Sequence, residues 1–356
     1  KFVSPLTFQS VTGRKAYTDA DLWGGEGHVT HIGLGHAADL VLIAPVSANT
    51  LAKLAHGMGD NLLSVTVLAS HCPLVLAPAM DVGMYSHPAT QANVEILRRR
   101  GAEFIGPEEG HLASGLVGLG RFVEPAQILG QVRHLLSQDG PLAGRKVVVT
   151  AGGTQEPIDP VRVITNRSSG KQSYAVAQAA LDAGAEVVLI SAPTALTPPM
   201  GATVVAVKTA AQMQAAVLDE TGDAHALIMA AAVADFRPRP SAQKLKKEIG
   251  IPKIELEATE DILAAVSARK GETGFPKFMV GFAAESQDLL KNAQSKLERK
   301  RLDMIVANDI LAQDAGFEVD TNRVVLLFAD GRSQNLPVQE KAEIAEAILQ
   351  QIIAWG

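Results

Sequence analysis

Apolar runs alternate with amphipathic stretches along most of this chain. The runs at 39–45 and 74–78 are continuously apolar, so they predict strands that are buried on both faces. The amphipathic stretches around them predict helices at 50–56, 60–70, 89–100 and 124–137, with a short strand at 104–105. Because buried strands that alternate with helices form parallel sheets, a doubly wound α/β domain is expected here. Residues 1–20 are polar and predict no element.

The alternation starts again after residue 140 and predicts a second doubly wound domain. Its predicted elements are strands at 146–150, 186–190, 203–207, 226–230, 278–282 and 303–307, and helices at 171–183, 210–220, 260–269, 286–301 and 339–353. The Pro- and Lys-rich stretch 236–253 has no periodicity and predicts a long mobile loop. The apolar run 323–328, followed by Asp330-Gly331, predicts a β-hairpin within 317–337. We therefore expect domains at 1–137 and 145–356, joined by a linker at 138–144.

Composition narrows the function. The chain has 356 residues, of which 47% are hydrophobic and 20% charged, as in ordinary globular proteins. A formal net charge of -6 and 4% aromatic residues argue against a nucleic-acid surface. The single cysteine, Cys72, excludes a disulfide framework and is typical of a reducing compartment. With no signal-peptide pattern and no membrane-spanning run, a cytoplasmic protein with small-molecule partners, and neither nucleic acid nor membrane, is expected. The first residue is not Met, so an N-terminal segment is expected to be missing.

The stretch 150–171 carries the most specific candidate chemistry. Two clusters of small residues, 152–154 (Gly-Gly-Thr) and 168–171 (Ser-Ser-Gly-Lys), lie between a predicted strand and a predicted helix. Glycines let backbone N–H groups approach an anion, and a helix N-terminus adds unpaired donors and a positive dipole end. The stretch matches neither the Walker A pattern nor G-x-G-x-x-G. It predicts a phosphate-binding loop with Arg162 and Asn166 between its clusters; a glycine-rich connection without a ligand is the alternative.

Three further features of the second half suggest nucleotide chemistry. Asp235 directly follows a predicted buried strand, where a carboxylate recognises a nucleoside, positions a metal-bound phosphate or simply caps a helix. Lys244 opens a Lys-Leu-Lys-Lys run in the predicted loop, which is either a solvated charge run or a lid over a polyphosphate. Lys296 and Lys300 are four residues apart on a predicted helix and suit either a triphosphate or a solvated face.

Together these strings resemble the ligase half of the CoaBC family, the bifunctional phosphopantothenoylcysteine decarboxylases and phosphopantothenate–cysteine ligases of coenzyme A synthesis. The resemblance rests on 150–171, 231–236, 244–247, 281–285 and 307–309, and it runs from about residue 144 to the C-terminus. It implies a Rossmann-like domain in which the carboxylate of 4′-phosphopantothenate attacks the α-phosphate of CTP, with Mg²⁺ as the metal. The amine of cysteine then displaces CMP from the acyl-cytidylate.

The resemblance also implies roles for individual residues. Asn166 would hold the acyl-cytidylate, with Arg162 beside it, and Lys244 would be a lid lysine that acts in the first half-reaction. The residues that would contact CTP are Gly152, Gly153, Ser169, Met229, Ala230, Ala231, Asp235, Lys244, Glu260, Asp261, Ile262, Leu263, Phe282, Lys296 and Lys300. The family often has Pro where Glu260 stands, and little consequence is expected because the contacts there are expected to come from the backbone. The sequence does not indicate the ligands of the metal.

In the first half, two polar strings follow the two buried strands, at 45–50 and 78–85. They suit the ribityl chain and ring edge of a flavin, or else they cap the following helices. They resemble the decarboxylase half of the same family, which is flavodoxin-like, binds FMN and forms homo-oligomers through both domains. The resemblance implies that His31 and Ser114 are catalytic, that Asp81 meets the substrate carboxylate, and that FMN contacts Ser47, Asn49, Thr50, Pro78, Ala79 and Met80.

This half departs from the family pattern in three ways. The first strand and the flavin-phosphate loop are absent, Ser114 stands where a Cys is usual, and Asp81 replaces the usual Asn. A serine hydroxyl is far less acidic than a thiol, and an ionised Asp81 would repel a substrate carboxylate unless it is protonated or reoriented. Two hypotheses follow: a bifunctional enzyme, or an active ligase whose flavin-binding domain is catalytically impaired and serves assembly or regulation. A regulatory binding module is less consistent with the complete set of ligase strings, and an NAD-linked dehydrogenase lacks its glycine fingerprint.

Overall fold

The computed structural model describes residues 3–23, 29–246, 253–285, 288–309 and 319–355, with backbone only for residues 284, 285 and 309. The chain divides into two compact units, residues 1–136 and 137–356. Both are α/β units with parallel strands, so the predicted fold class is confirmed. No helix in the described ranges is long and apolar enough to cross a membrane.

The first unit is built on a three-stranded parallel sheet in the order β1-β2-β3. The strands are β1 (Val41–Val46), β2 (Leu74–Pro78) and β3 (Glu103–Phe104), and a separate antiparallel hairpin is formed by β4 (Glu108–His111) and β5 (Val117–Arg121). The helices are α1 (Pro5–Thr12), α2 (Thr30–Ala37), α3 (Ala48–His56), α4 (Leu62–Ala69), α5 (Val82–Ser86), α6 (Pro88–Arg99) and α7 (Pro125–Ser137), with a 3₁₀ turn at Asp19–Trp23. Side chains of β1, β2, α3 and α6 form its main core.

Four elements of this unit were not predicted. Residues 1–20 contain α1, which has Pro5 in its first turn, Ser4 as its N-cap and Gly13 in the left-handed conformation at its C-cap. None of its eight residues is buried, so the sequence has no apolar face from which this helix could be predicted. The helices α2 and α5 and the hairpin β4–β5 are likewise short and mostly exposed.

The second unit is built on one eight-stranded sheet in the order β10-β9-β6-β11-β14-β15-β16-β17. Its strands are β6 (Lys146–Ala151), β9 (Glu186–Ser191), β10 (Thr203–Ala206), β11 (Ala226–Met229), β14 (Phe278–Glu285), β15 (Met304–Asp309), β16 (Thr321–Phe328) and β17 (Ser333–Glu340). The first six in sheet order are parallel, and β16 and β17 add the predicted hairpin at one edge. The helices are α8 (Lys171–Asp182), α9 (Ala210–Glu220), α10 (Ile262–Thr273), α11 (Leu289–Arg299) and α12 (Lys341–Trp355).

The central strand β6 shows why the predicted strands of this unit are continuously apolar. Val147 and Val149 pack into a core with α8 and α12, while Val148 packs into a second core with α9, α10 and α11. All three valines are fully buried. Helices therefore cover both faces of the sheet, and the loops at the carboxyl ends of the strands are left to form a site.

Three predicted segments differ in the structure. The stretch 150–171 contains an unpredicted hairpin, β7 (Gln155–Pro157) and β8 (Val163–Thr165). The predicted loop 236–253 begins with β12 (Phe236–Pro238), which pairs with β13 (Leu256–Ala258), while 247–252 lie outside the described residues. The predicted helix 286–301 is shorter, because α11 ends at Arg299 and Lys300 is its C-cap.

Candidate active sites

A cavity of about 670 Å³ opens at the carboxyl ends of the parallel strands of the second unit. It is lined by the loop that leads into α8, by the segments after β11 and before α10, and by the end of α11. The predicted nucleotide-site residues on its wall are Asn166, Ser169, Met229, Ala230, Ala231, Asp235, Glu260, Asp261, Ile262, Leu263, Phe282, Lys296 and Lys300. Residues from five separate segments of the chain thus meet in one cavity.

Hydrogen bonds fix the loop that follows β11. The side-chain amide of Asn166 donates to the carbonyl oxygens of Ala232 (3.3 Å) and Val233 (3.2 Å). From the other side, the hydroxyl of Thr154 accepts from the backbone N–H of Ala234 at 2.9 Å. The segment that ends at Asp235 is therefore held by the stretch 150–171, and its position depends on both.

Gly152 and Gly153 are not among the described residues that line the cavity, and their contact with phosphates stays a prediction. A Cβ at Gly152 would lie 2.8 Å from the carbonyl oxygen of Ala192, and Gly152 has a φ of +78°. A Cβ at Gly153 would lie 2.7 Å from the carbonyl oxygen of Asn166. These glycines are needed because backbone packs against them.

The start of α8 has the features expected of an anion-binding helix end. Gly170 is its N-cap in the left-handed conformation (φ +76°), and the hydroxyl of Ser169 accepts from the backbone N–H of Lys171 at 3.4 Å. Ser169, Gly170, Lys171 and Gln172 all line the cavity. The second small-residue cluster therefore fits the predicted phosphate-binding role.

The two predicted lysines of α11 are engaged within the cavity wall. Lys296 donates to the carbonyl oxygen of Phe282 at 2.9 Å. Lys300 is only 8% exposed and forms an ion pair with Asp261. Burial lowers the pKa of Lys300, and the charge of Asp235 opposes that shift. Lys300 thus brings its charge between two carboxylates.

Arg162 and Lys244 lie outside the residues that line the cavity. Arg162 precedes β8 and Asn166 follows it, so a strand of about 13 Å separates them at the usual rise per residue. The role of Arg162 beside the acyl-cytidylate stays a prediction. Arg162 forms an ion pair with the buried carboxylate of Asp159 and donates to the carbonyl oxygen of Leu245 at 2.8 Å. It contacts the segment that carries Lys244.

Several polar residues on the cavity wall were not predicted as site residues. Among them are Gln172, Asn308, Asn322 and Lys341. They come from the starts of α8 and α12, the end of β15 and the start of β16. Asn322 lies in β16 and Lys341 follows β17, two antiparallel strands far along the chain, where no strand–loop–helix pattern points to a site.

In the first unit, the predicted FMN-binding residues lie at two adjacent strand ends. β1 and β2 are parallel neighbours, with Val46 paired to Pro78. Ser47 accepts from the backbone N–H of Thr50 at 3.3 Å and caps α3, so the capping alternative is present. Ser47 and Asn49 are nevertheless exposed. Exposed polar groups beside Ala79 and Met80 fit the edge and ribityl chain of a flavin.

The hairpin β4–β5 packs over the second of these strand ends. Met80 donates its backbone N–H to the carbonyl oxygen of Gly120 at 3.0 Å, and a Cβ at Gly120 would lie 2.2 Å from the carbonyl oxygen of Met80. At the hairpin turn, the hydroxyl of Ser114 donates to a carboxylate oxygen of Asp81 at 2.7 Å. The structure thus brings together two residues that were predicted from separate strings.

Asp81 is held in an ionised, reoriented state. Its other carboxylate oxygen accepts from the backbone N–H of Gly83 at 2.9 Å and caps α5. The hydrogen bond from Ser114, followed by that from Gly83, lowers the pKa of Asp81 below its usual range. The carboxylate therefore accepts hydrogen bonds from Ser114 and Gly83, and this arrangement fits poorly with direct contact to a substrate carboxylate.

His31 lies on α2, which packs against α4 and the 3₁₀ turn at Asp19–Trp23. Its Nδ1 atom is buried and has no hydrogen-bond partner among the described residues. An unpaired buried nitrogen fits a ligand or substrate that completes the site.

Comparison with known proteins accounts for both units. The family model for the DNA/pantothenate metabolism flavoprotein C-terminal domain matches residues 142–355, and the model for Flavoprotein matches residues 1–137. The coenzyme A biosynthesis bifunctional protein CoaBC of Bacillus subtilis (strain 168) is 44% identical over 99% of this chain and 87% of its own length. A cysteine/cysteine sulfinic acid decarboxylase of an unknown prokaryotic organism is 42% identical over 99% of both chains.

A solved structure also resembles the second unit. The crystal structure of the C-terminal domain of a coenzyme A biosynthesis bifunctional protein CoaBC covers 61% of this chain and 98% of its own, at 40% identity and a TM-score of 0.51. The matches to both family models, together with the near full-length relative, show that the chain belongs to the CoaBC family of bifunctional coenzyme A biosynthesis proteins.

Proposed function

We propose that the second unit joins 4′-phosphopantothenate to cysteine with CTP, and that the first unit decarboxylates the product, 4′-phosphopantothenoylcysteine, with FMN. One observation carries the ligase assignment. A single cavity gathers Asn166, the start of α8, Asp235 and Lys300, which the sequence scatters over more than 130 positions. This is the arrangement that activation of a carboxylate by a nucleotide needs.

The ligase reaction proceeds in two displacements. A carboxylate oxygen of 4′-phosphopantothenate attacks the α-phosphorus of CTP, and the bond to pyrophosphate breaks. The amine of cysteine then attacks the acyl carbon, the bond to CMP breaks with its electron pair, and the nitrogen loses a proton to solvent. The N-terminus of α8 and Ser169 neutralise phosphate charge, while Asn166 positions the acyl-cytidylate. Asp235 would contact the nucleotide, and Mg²⁺ would supply further charge neutralisation when bound.

Lys244 acts in the first displacement as a lid lysine. Arg162 contributes to that step indirectly, by positioning the segment that carries Lys244. Arg162 holds the backbone of Leu245 and thereby fixes the segment next to Lys244. We assign Arg162 to this positioning role because it does not line the cavity.

In the first unit, bound FMN would supply the redox chemistry that makes loss of CO₂ possible. Ser47, Asn49, Thr50, Pro78, Ala79 and Met80 would hold the flavin. The hydroxyl of Ser114 is oriented by Asp81 at 2.7 Å, and this places a proton-bearing group on the hairpin that covers the strand ends. The same pair also supports the alternative function, an active ligase with a flavin-binding unit of impaired decarboxylase activity, because an ionised Asp81 does not make a serine hydroxyl more acidic.

The protein is also proposed to be a homo-oligomer. Large apolar side chains are exposed on the first unit, among them Leu6, Val11 and Trp23, at 69%, 82% and 89%. Exposed apolar side chains of this size are typical of protein interfaces.

The experiment that tests the function follows both products in one reaction. Full-length protein is supplied with FMN, CTP, 4′-phosphopantothenate and cysteine, and pyrophosphate, the amide product and CO₂ are measured. We expect all three products in the wild type. In Asn166→Ala, CTP binding is retained and amide formation falls by about a hundredfold or more, as for the loss of one transition-state donor.

Three results would change the assignment. Normal amide formation in Asn166→Ala would refute the role of Asn166. Amide formation without CO₂ would establish the alternative function, an impaired flavin unit. Release of CO₂ from free cysteine, without CTP, would instead align this chain with its relative named as a cysteine decarboxylase.

A further inference from the structure

We propose that one end of the ligase cavity is the binding site for the amino-acid substrate, with Lys171 and Lys341 for its carboxylate and Asn308 and Gln172 for its amine. We call these four residues the amino-acid subsite. The proposal rests on the ligase function proposed above. It gives a place to cysteine, the one substrate of that reaction for which the sequence-derived residues provide none.

The four residues are brought together by the starts of two helices. Lys171 and Gln172 open α8, and Lys341 opens α12. The side-chain amide of Gln172 donates to the carbonyl oxygen of Lys341 at 3.0 Å, which ties the two helix starts to each other. Asn308 reaches the same cavity wall from the end of β15. The N-terminus of α12 therefore directs its positive dipole end towards this region.

The lysines of the subsite suit a carboxylate. Lys171 forms an ion pair of 2.7 Å with the exposed Asp320, and Lys341 donates to the carbonyl oxygen of Val319, so two ammonium groups lie at this end of the cavity. Lys341 is 6% exposed, and burial followed by the nearby charge of Lys171 lowers the pKa of its ammonium. An anion at this position relieves the repulsion between the lysines.

Unpaired acceptors distinguish an amino acid from a phosphate. The Oδ1 atom of Asn308 and the Oε1 atom of Gln172 are buried and have no hydrogen-bond partner among the described residues. The Asn308 side chain belongs to a residue that is only 8% exposed. Leaving a buried acceptor unpaired is unfavourable, so a ligand that donates N–H bonds is expected here. Pyrophosphate offers acceptors almost exclusively, whereas the amine of an amino acid supplies donors next to its carboxylate.

The two half-reactions allow the subsite to be tested separately from the rest of the cavity. Release of pyrophosphate from CTP and 4′-phosphopantothenate is measured without cysteine, and amide formation is then measured against cysteine concentration. In Lys341→Met and in Asn308→Leu we expect pyrophosphate release at the wild-type rate. The KM for cysteine rises about tenfold to a hundredfold, as for loss of a hydrogen bond to a charged group. Lys291→Met, which removes an exposed lysine of α11, is the matched control and changes neither measurement.

A second amine substrate assigns the two ends of the subsite. 2-Aminoethanethiol has the amine and thiol of cysteine but no carboxylate. With this substrate the defect of Lys341→Met disappears, because no carboxylate is left for Lys341 to bind, whereas the defect of Asn308→Leu persists. Thermal unfolding of each variant verifies that it is folded. If Lys341→Met does not fold, Asn308→Leu alone tests the proposal.

Two results overturn the proposal. One is an unchanged KM for cysteine in folded variants, and the other is a defect confined to pyrophosphate release, which would assign these residues to the nucleotide. Both differ from failure of the proposed function itself, in which the wild-type protein releases no pyrophosphate.

Discussion

Asp159 holds together the segment that carries Lys244. Its buried carboxylate accepts from Nε of Arg162 at 2.9 Å and from the backbone N–H of Leu245 at 3.1 Å. Arg162 in turn donates to the carbonyl oxygen of Leu245, so Leu245, next to Lys244, is bound through both its N–H and its C=O. The Asp159–Arg162 pair therefore acts as an anchor for the lid lysine.

This anchor should not depend on pH in the neutral range. The hydrogen bonds from Arg162, followed by those from backbone N–H groups, hold the pKa of Asp159 well below its usual range. A carboxyl group whose pKa is lowered by folding stabilises the folded state at every pH above its unfolded pKa, about 3.9, and loses that contribution only as the pH falls through its folded pKa. From pH 5 upwards the anchor is fully charged.

We predict that Asp159→Asn slows pyrophosphate release about tenfold or more, since misplacing a catalytic group is costly in rate. The affinity for CTP changes little, because Asp159 does not line the cavity. A merely structural role is excluded by a double-variant test: once Lys244→Ala is present, Asp159→Asn should have little further effect on the rate.

Trypsin provides an independent measurement of the same anchor. Cleavage after Lys244 should be faster in Asp159→Asn than in the wild type, and in the wild type it should be equally slow at pH 5.5 and pH 8 after correction for the activity of trypsin. Asp330→Asn is a matched control, because Asp330 makes a similar turn with Arg332 elsewhere in the unit. Additive rate effects, together with unchanged cleavage, would contradict the anchor.

At the scale of elements, the hairpin β7–β8 within the stretch 150–171 was not visible in the sequence. Each of its strands has only three residues, too few to show an alternating pattern, and its turn lies at 158–162. The stretch therefore looked like one continuous loop, in which Arg162 and Asn166 are four positions apart. In the structure β8 extends between them: Asn166 lines the cavity, and Arg162 is not among its lining residues.

Gly153 connects this hairpin to the site by close packing. Its backbone bridges to Ala232, and a Cβ would lie 2.7 Å from the carbonyl oxygen of Asn166. We predict that Gly153→Ala destabilises the fold by about 1–3 kcal/mol, as overpacking does, and lowers amide formation by displacing Asn166.

Gly271→Ala is the control for that variant. Gly271 lies within α10, and a Cβ at this position would have no other atom within 4 Å. Its substitution should therefore leave both stability and ligation near the wild-type values or slightly improve stability. Unfolding by urea and the amide assay measure the two effects. If Gly153→Ala were as stable and as active as Gly271→Ala, the close packing of Gly153 against Asn166 would not be needed for stability or ligation.

For the whole molecule, the sequence was most informative where strands are buried on both faces. Continuous runs such as 147–149 established the order of strand and helix in the second unit, because only a strand buried between two helical layers is apolar at every position. The same patterns located the strand ends, and with them Met229 and Asp235. Long-range contacts carry no local pattern. The approach of Lys341 to Lys171, and of Ser114 to Asp81, depends on packing between distant segments and was visible only in the structure.

The segment 138–144, which was expected to be a linker, also makes long-range contacts that its sequence does not reveal. Within 138–144, Leu142 is fully buried in the core beside α8, and its backbone N–H donates to the carbonyl oxygen of Ala183 at 2.8 Å. Gly140 packs against the same carbonyl group, where a Cβ would lie 2.3 Å from the oxygen. A short polar stretch with Gly and Pro thus carries one apolar residue that belongs to the second unit.

This packing predicts where the ligase can be separated from the flavin unit. A fragment of residues 137–356 contains both cores of the second unit and the whole cavity, so it should fold and form the amide without FMN. A fragment of residues 146–356 lacks Leu142, and we expect it to be less stable by about 2–5 kcal/mol, the usual cost of emptying a buried leucine position. Urea unfolding of the two fragments measures the difference, and full-length Leu142→Ala, compared with the wild type, gives the cost of that side chain alone. Equal stability of the fragments would mean that 138–144 is a free linker, and absence of ligation by a folded 137–356 fragment would mean that the ligase needs the first unit.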